Sequence, residues 1–198
     1  MKSAIAILAD YQVQNFVRKM VFELEQAYQV DFMASQLPAH ISLKQPFSFE
    51  SMDRLEGYFD SLAAQIAPFQ IELDELYFTN WEGYGILGIN VKETETLRGL
   101  HNQLNRELSE LFVDTSAPHD GAGYHFHMTI ELGEVNDQNP YRNYFEGLES
   151  RVVNLAYQAK EIAMFYYPGN QQSFICYKVL PLTGISSPSH KNFTRNQL

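Results

Sequence analysis

The chain has 198 residues, 45% hydrophobic and 19% charged, with a formal net charge of -10 from 24 acidic and 14 basic side chains. This is the composition of a chain that buries a core, which excludes a disordered class. Its acidic field excludes a long nucleic-acid duplex gripped through the backbone, while a small fragment or a single terminus is still admissible.

In chain order, A-I-A-I-L-A (4 to 9) reads as a strand. Its apolar run stops at Asp10 and amphipathic helix follows, so the start is not read as a signal peptide. Val13, Val17, Met20 or Val21, Leu24 and Tyr28 mark that helix. H-I-S-L-K (40 to 44) is a strand, Leu55, Phe59, Leu62 and Ile66 stripe a second helix, and 69 to 78 is a strand. The order then restarts. Residues 85 to 91 form a strand, Leu97, Leu100, Leu104, Leu108 and Leu111 a helix, and 124 to 132 a strand. Asn139-Pro140 opens a helix expected to use Phe145, Leu148, Val152 and Leu155. Strands at 161 to 167 and 173 to 180 close the fold.

H-I-S-L begins at 40 and H-M-T-I at 127, an offset of 127 − 40 = 87. Adding 87 to Leu55 and Phe69 reaches 142 and 156, beside the corresponding helix and strand. A β-α-β-α-β unit therefore occurs twice, and an α+β fold of two intimately joined lobes is the economical solution. The expected domain is 1 to 183, with repeats at about 3 to 80 and 84 to 182 and a polar tail at 184 to 198.

Both tetrapeptides read histidine, apolar, hydroxyl, apolar. On a strand, His40 and Ser42 share one face while Ile41 and Leu43 anchor the other; His127 and Thr129 do the same over Met128 and Ile130. Two imidazoles that titrate near neutrality can divide proton transfer between an attacking and a departing oxygen. Those oxygens lie roughly in line across phosphorus, and Ser42 and Thr129 are placed to donate to its other oxygens. A metal site is the competing reading: His125 and His127, with His40 or His119, have plausible zinc-ligand chemistry. Glu131 falls on their nominal face but about 12 Å or more from His127.

Further cleft candidates are Lys44, His125, Tyr124, Phe47 and His119. Lys44 would offer phosphate a point charge, or only pass the strand end. His125 would extend the cleft or hold its neighbour. Tyr124 and Phe47 are potential base platforms, although core packing explains either. His119, in T-S-A-P-H-D-G-A-G, sits in an approach to the second motif for which an ordinary loop is the simpler reading. G-Y-G-I-L-G (83 to 88) spells a dinucleotide fingerprint, but it runs on into strand where that fingerprint opens a helix, so it is rejected. Cys176 is the only cysteine. It precludes an intrachain disulfide and reads as a buried, inert thiol. No stretch approaches a membrane span, and a cytoplasmic location is expected.

The two tetrapeptides, with L-P-A-H-I-S-L-K-Q-P-F around the first, resemble the signature motifs of the 2H phosphoesterases, which include bacterial 2'-5' RNA ligases and 2',3'-cyclic nucleotide phosphodiesterases. The resemblance covers about residues 3 to 182. It implies a bilobal, pseudo-twofold fold in which two mixed sheets flank a central cleft with helices outside. It also implies catalysis by His40 and His127, phosphate binding by Ser42 and Thr129, and need of neither metal nor cofactor. The implied substrate is a small nucleotide or RNA terminus bearing a cyclic phosphate, opened to a 2'-phosphate. End-joining by the reverse type of reaction, or binding of a terminus with little turnover, are the alternatives. A monomer acting without duplex nucleic acid or membrane is the expected state.

Overall fold

The computed structural model describes residues 1–30, 34–135, 139–169 and 173–185; most of the polar tail lies outside them. The first repeat supplies β1 (Lys2–Leu8), α1 (Tyr11–Tyr28), β2 (His40–Ser48), α2 (Met52–Gln65) and β3 (Phe69–Trp81). The second supplies β4 (Tyr84–Val91), α3 (Glu95–Leu111), β5 (His127–Glu134), α4 (Pro140–Glu146) and β6 (Val152–Ala159). β7 (Glu161–Tyr167) and β8 (Ile175–Pro181) follow.

The three long helices start where the sequence provides an acceptor. The Asp10 carboxylate accepts from the Gln12 and Val13 amides, Ser51 Oγ from Arg54, and Thr94 Oγ1 from Leu97. Each cap satisfies amides that a helix leaves without partners. The apolar stripes of these helices enter one core with Ile5, Ile7, Ile41, Leu43, Leu87, Ile89, Met128 and Ile130. A smaller cluster of Ala4, Ala6, Leu8, Ala163 and Phe165 packs on the opposite face of the first sheet.

The strand orders are β2-β1-β7-β8 and β5-β4-β3-β6. β3 thus leaves the first repeat to pair with β4, and β7 completes the first sheet, so each sheet draws strands from both halves of the chain. The duplicated, bilobal α+β architecture is as the repeat indicates. Strand direction is not mixed, however: every described pairing is antiparallel. The reason lies in the connections. β1 ends at Leu8, α1 begins at Tyr11, and the chain re-enters the sheet with His40 opposite Leu8, so β2 runs the other way. The second repeat does the same after α3, where β5 enters with His127 opposite Asn90 near the end of β4.

Three expectations are corrected. α4 ends at Glu146, and Val152 and Leu155 belong to β6, whose alternating burial replaces the helical stripe. The ladder of β5 begins at His127 rather than Tyr124, although alternate burial already starts at Tyr124. Cys176 is exposed, because β8 is an edge strand with little packed over it. The glycine-rich stretch forms a hairpin, with Gly83 at φ 87° in its turn. On β4, a Cβ at Gly88 would come within 2.6 Å of the Tyr77 ring, so glycine there makes room for a tyrosine beside the second motif.

Candidate active site

β2 and β5 are the edge strands of their sheets and lie next to each other without sharing a ladder. Side chains from the second half satisfy the exposed edge of β2. Tyr124 donates its hydroxyl to the Ser42 carbonyl (2.9 Å), and His101 Nδ1 donates to the Leu43 carbonyl (2.8 Å). The His101 and Tyr124 rings stack at 4.5 Å, and Tyr124 stands 6.5 Å from the His127 ring. This packing brings the two motifs together.

The imidazoles are held alike. His40 Nδ1 lies 2.8 Å from the carbonyl of Pro38, and His127 Nδ1 lies 2.9 Å from that of His125. A carbonyl only accepts, so both rings carry their proton on Nδ1 when neutral and keep Nε2 for exchange. Each orienting carbonyl belongs to the residue two before its histidine. Phe165 packs its edge on His40 at 4.6 Å, and Tyr77 stands edge-on to His127 at 6.3 Å.

Burial lowers both imidazole pKa values. For His40 the value falls from 6.5 to about 4: burial is the largest cause, the Pro38 hydrogen bond opposes it, and the charge of His127 lowers it further. For His127 burial again leads, opposed by the bond to His125 and assisted by the charge of that neighbour. The unfolded chain therefore binds a proton at His40 between pH 6.5 and 4 where the folded chain does not. Stability from this residue is intact above 6.5 and declines as the pH falls toward 4, by about 3 kcal/mol in all. Denaturant unfolding of His40→Asn between pH 7 and pH 4 should show a correspondingly smaller acid loss than the native chain.

His40 and Thr129 line one cavity of about 300 Å³, shared with Leu37, Pro38, Leu132 and Phe174. Ser42 is half-buried opposite Ala6 on β1, the register that carries His40 opposite Leu8. His40, Ser42, His127 and Thr129 are thus brought to one region by β2 and β5.

Other candidates are placed elsewhere. Phe47 is buried in the core beside Phe49. Tyr124 is buried and tied to Ser42 and Gln45, so it braces the site and offers no open stacking face. His125 is exposed, with Nε2 on the Asn90 side chain at 2.9 Å. His119 is exposed and packs edge-on against Trp81 at 5.9 Å. Lys44 is fully buried and ion-paired with Asp120, which removes it from the face of His40 and Ser42. Glu131 is equally buried and leaves the face of His127. Among the described residues, no group of three or more His, Cys, Asp or Glu gathers as a metal site would require. Tyr77 and His101 were not legible as site residues: one sits in an ordinary alternating strand, the other in a leucine-striped helix.

A duplicated α+β fold with a His-x-hydroxyl motif on each of two adjoining edge strands defines the 2H phosphoesterase class. The model of the 2'-5' RNA ligase superfamily matches residues 10–171, and the chain belongs to that superfamily. A protein of Thermus thermophilus superposes with a TM-score of 0.60 at 14% identity, covering 93% of this chain and 99% of its own. LigT of E. coli in complex with 3'-AMP gives 0.57 at 15% identity, with 92% and 97% covered. A structure described as a phosphoesterase gives 0.58 at 15% identity, with 92% and 98% covered. At these identities the likeness is one of fold. Among curated proteins there is no match. No described helix is long and apolar enough to cross a membrane.

Proposed function

We propose that the chain is a phosphoesterase that opens 2',3'-cyclic phosphates of nucleotides or RNA ends to 2'-phosphates. His40 and His127 act as the acid–base pair. The observation that supports this most strongly is the duplicated imidazole geometry. Each ring gives Nδ1–H to the carbonyl two residues before it and keeps Nε2 for a proton. Binding a phosphate requires no titratable pair; moving one proton to and another from in-line oxygens does.

His40, whose pKa burial pushes down to about 4, is unprotonated at neutral pH and takes the proton from the attacking water. His127, entering the step as the imidazolium, gives its Nε2 proton to the 3'-oxygen as the bond from that oxygen to phosphorus breaks. Ser42 and Thr129 donate hydrogen bonds to the non-bridging oxygens, where charge accumulates. The residues proposed for the reaction are protein side chains, and no step calls on a metal. Hydrolysis is favoured over end-joining by the acidic chain, which gives a second RNA end little electrostatic hold.

The test is hydrolysis of the four 2',3'-cyclic mononucleotides and a short RNA with a cyclic phosphate end, in excess EDTA, with the phosphate position of the product identified. EDTA-resistant formation of 2'-phosphates is expected. Formation of 3'-phosphates, or activity abolished by EDTA and restored by a divalent ion, would reject this mechanism.

A further inference from the structure

The two motif strands share an irregularity that the tetrapeptides do not announce. On β2, Ser42 lies opposite Ala6 while Lys44 lies opposite Ile5, so Leu43 is an extra residue in the ladder. On β5, Thr129 lies opposite Gly88 while Glu131 lies opposite Leu87, so Ile130 is the extra residue. The repeat offset relates the two: 42 + 87 = 129 and 44 + 87 = 131. A bulge of this kind re-aims the side chain that follows it. Here it takes the next polar residue of each motif off the cleft face and into the core, where Lys44 and Glu131 are both 0% exposed.

Each then crosses to the other half. Lys44 pairs with Asp120, in the connection from α3 to β5. Five residues later that connection supplies the His125 carbonyl that orients His127. Glu131 Oε1 accepts from the Ala34 amide at 2.6 Å, in the connection from α1 to β2. Four residues later that connection supplies the Pro38 carbonyl that orients His40. Contacts within each half also hold these segments. The Gln14 side chain both accepts from and donates to the backbone of Ala39, and Arg98 donates to the carbonyls of Gly121 and Tyr124. Those contacts fix each segment to its own half. The bonds from Lys44 and Glu131 run from the opposite motif.

We propose that Lys44 and Glu131 are reciprocal positioning residues, each leaving its own motif strand to hold the segment that orients the other motif's imidazole. The opposite charges of the two argue for this role. Residues placed by symmetry to bind one phosphate would both be cationic; residues that reach a carboxylate in one case and an amide in the other need opposite signs. The inference rests on His40 and His127 being the acid–base pair only for its effect on turnover, since the positioning itself can be read without substrate.

The experiment uses the full chain labelled with 15N, with long-range proton–nitrogen spectra of the imidazoles assigned through His40→Gln and His127→Gln. Glu131→Leu should move the Nδ1 and Nε2 resonances of His40 toward a mixture of tautomers and leave His127 in its native pattern. Lys44→Met with Asp120→Asn, which removes both charges together, should do the converse. Glu131→Gln should resemble the native chain, because an amide oxygen can accept the same bonds.

Where 2',3'-cyclic nucleotides are hydrolysed, the first two variants should lose roughly 10- to 100-fold in kcat, with KM within about twofold. Should Glu131→Leu fail to fold, the Lys44/Asp120 arm decides alone. A variant that moves the imidazole of its own strand, moves both or moves neither would overturn the proposal. A crossed pattern in a chain that hydrolyses no cyclic phosphate would uphold the positioning and sink the catalytic reading instead.

Discussion

Replacing either His40 or His127 with alanine is expected to lower kcat for 2',3'-cyclic phosphate opening by roughly 10²- to 10⁴-fold, the range that one positioned acid or base contributes. The double variant should fall little below the weaker single one. Proton removal from water and proton delivery to the leaving oxygen belong to one in-line event, and groups that act as a unit lose their effects together. Both imidazoles are only partly buried and stand on edge strands, so the folds should survive for comparison. Steady-state assays of the three variants beside the native chain check this. A single variant that retained more than about a tenth of native turnover would remove that histidine from the mechanism. If the two losses multiplied, the histidines would be working in separate steps.

The motif pair was legible because a strand shows its two faces at every second residue, and His-x-Ser and His-x-Thr keep that period over three residues. It ceased to be legible one step further on. Nothing in H-I-S-L-K or H-M-T-I-E spells the extra residue at Leu43 or Ile130. The bulge is defined by how β1 and β4 pair with these strands, which is tertiary information. Uninterrupted alternation therefore put Lys44 and Glu131 on the cleft face, and both lie buried on the other.

The same limit explains β6. Val152 and Leu155 are three apart, a spacing that continues a helical stripe, while the partner that makes them a strand is β3, more than 70 residues earlier. His101 shows the limit from another side. It reads as one polar residue beside a leucine stripe, and only the folded chain sets its Nδ1 on the Leu43 carbonyl and its Nε2 under the Gly121 amide at 2.9 Å. The duplication was visible at low resolution because it rests on element order and one offset, which survive such local errors. The exchange of β3 and β7 between sheets was not, since strand order leaves no local mark.

The largest stability effect is expected at Lys44. Its side chain is 0% exposed and that of Asp120 only 8%, so Lys44→Met would leave a carboxylate buried without its counter-charge. Among the described residues Asp120 Oδ1 has no hydrogen-bond partner, so the ion pair through Oδ2 is what compensates that group. Removing one partner of such a pair costs roughly 3–5 kcal/mol, a large share of the roughly 5–15 kcal/mol that holds a domain folded. Removing both charges should cost much less, because burying the ions consumed most of what their attraction returned. Denaturant unfolding of Lys44→Met, Asp120→Asn and the double variant at pH 7 therefore has a definite expected order. The lysine variant should be least stable, and the double variant should recover much of the loss. If Lys44→Met and the double variant were equally unstable, the lysine would be contributing through the packing of its stem over Phe47, whose ring centre lies 5.8 Å from Nζ, and the charge pair would carry little.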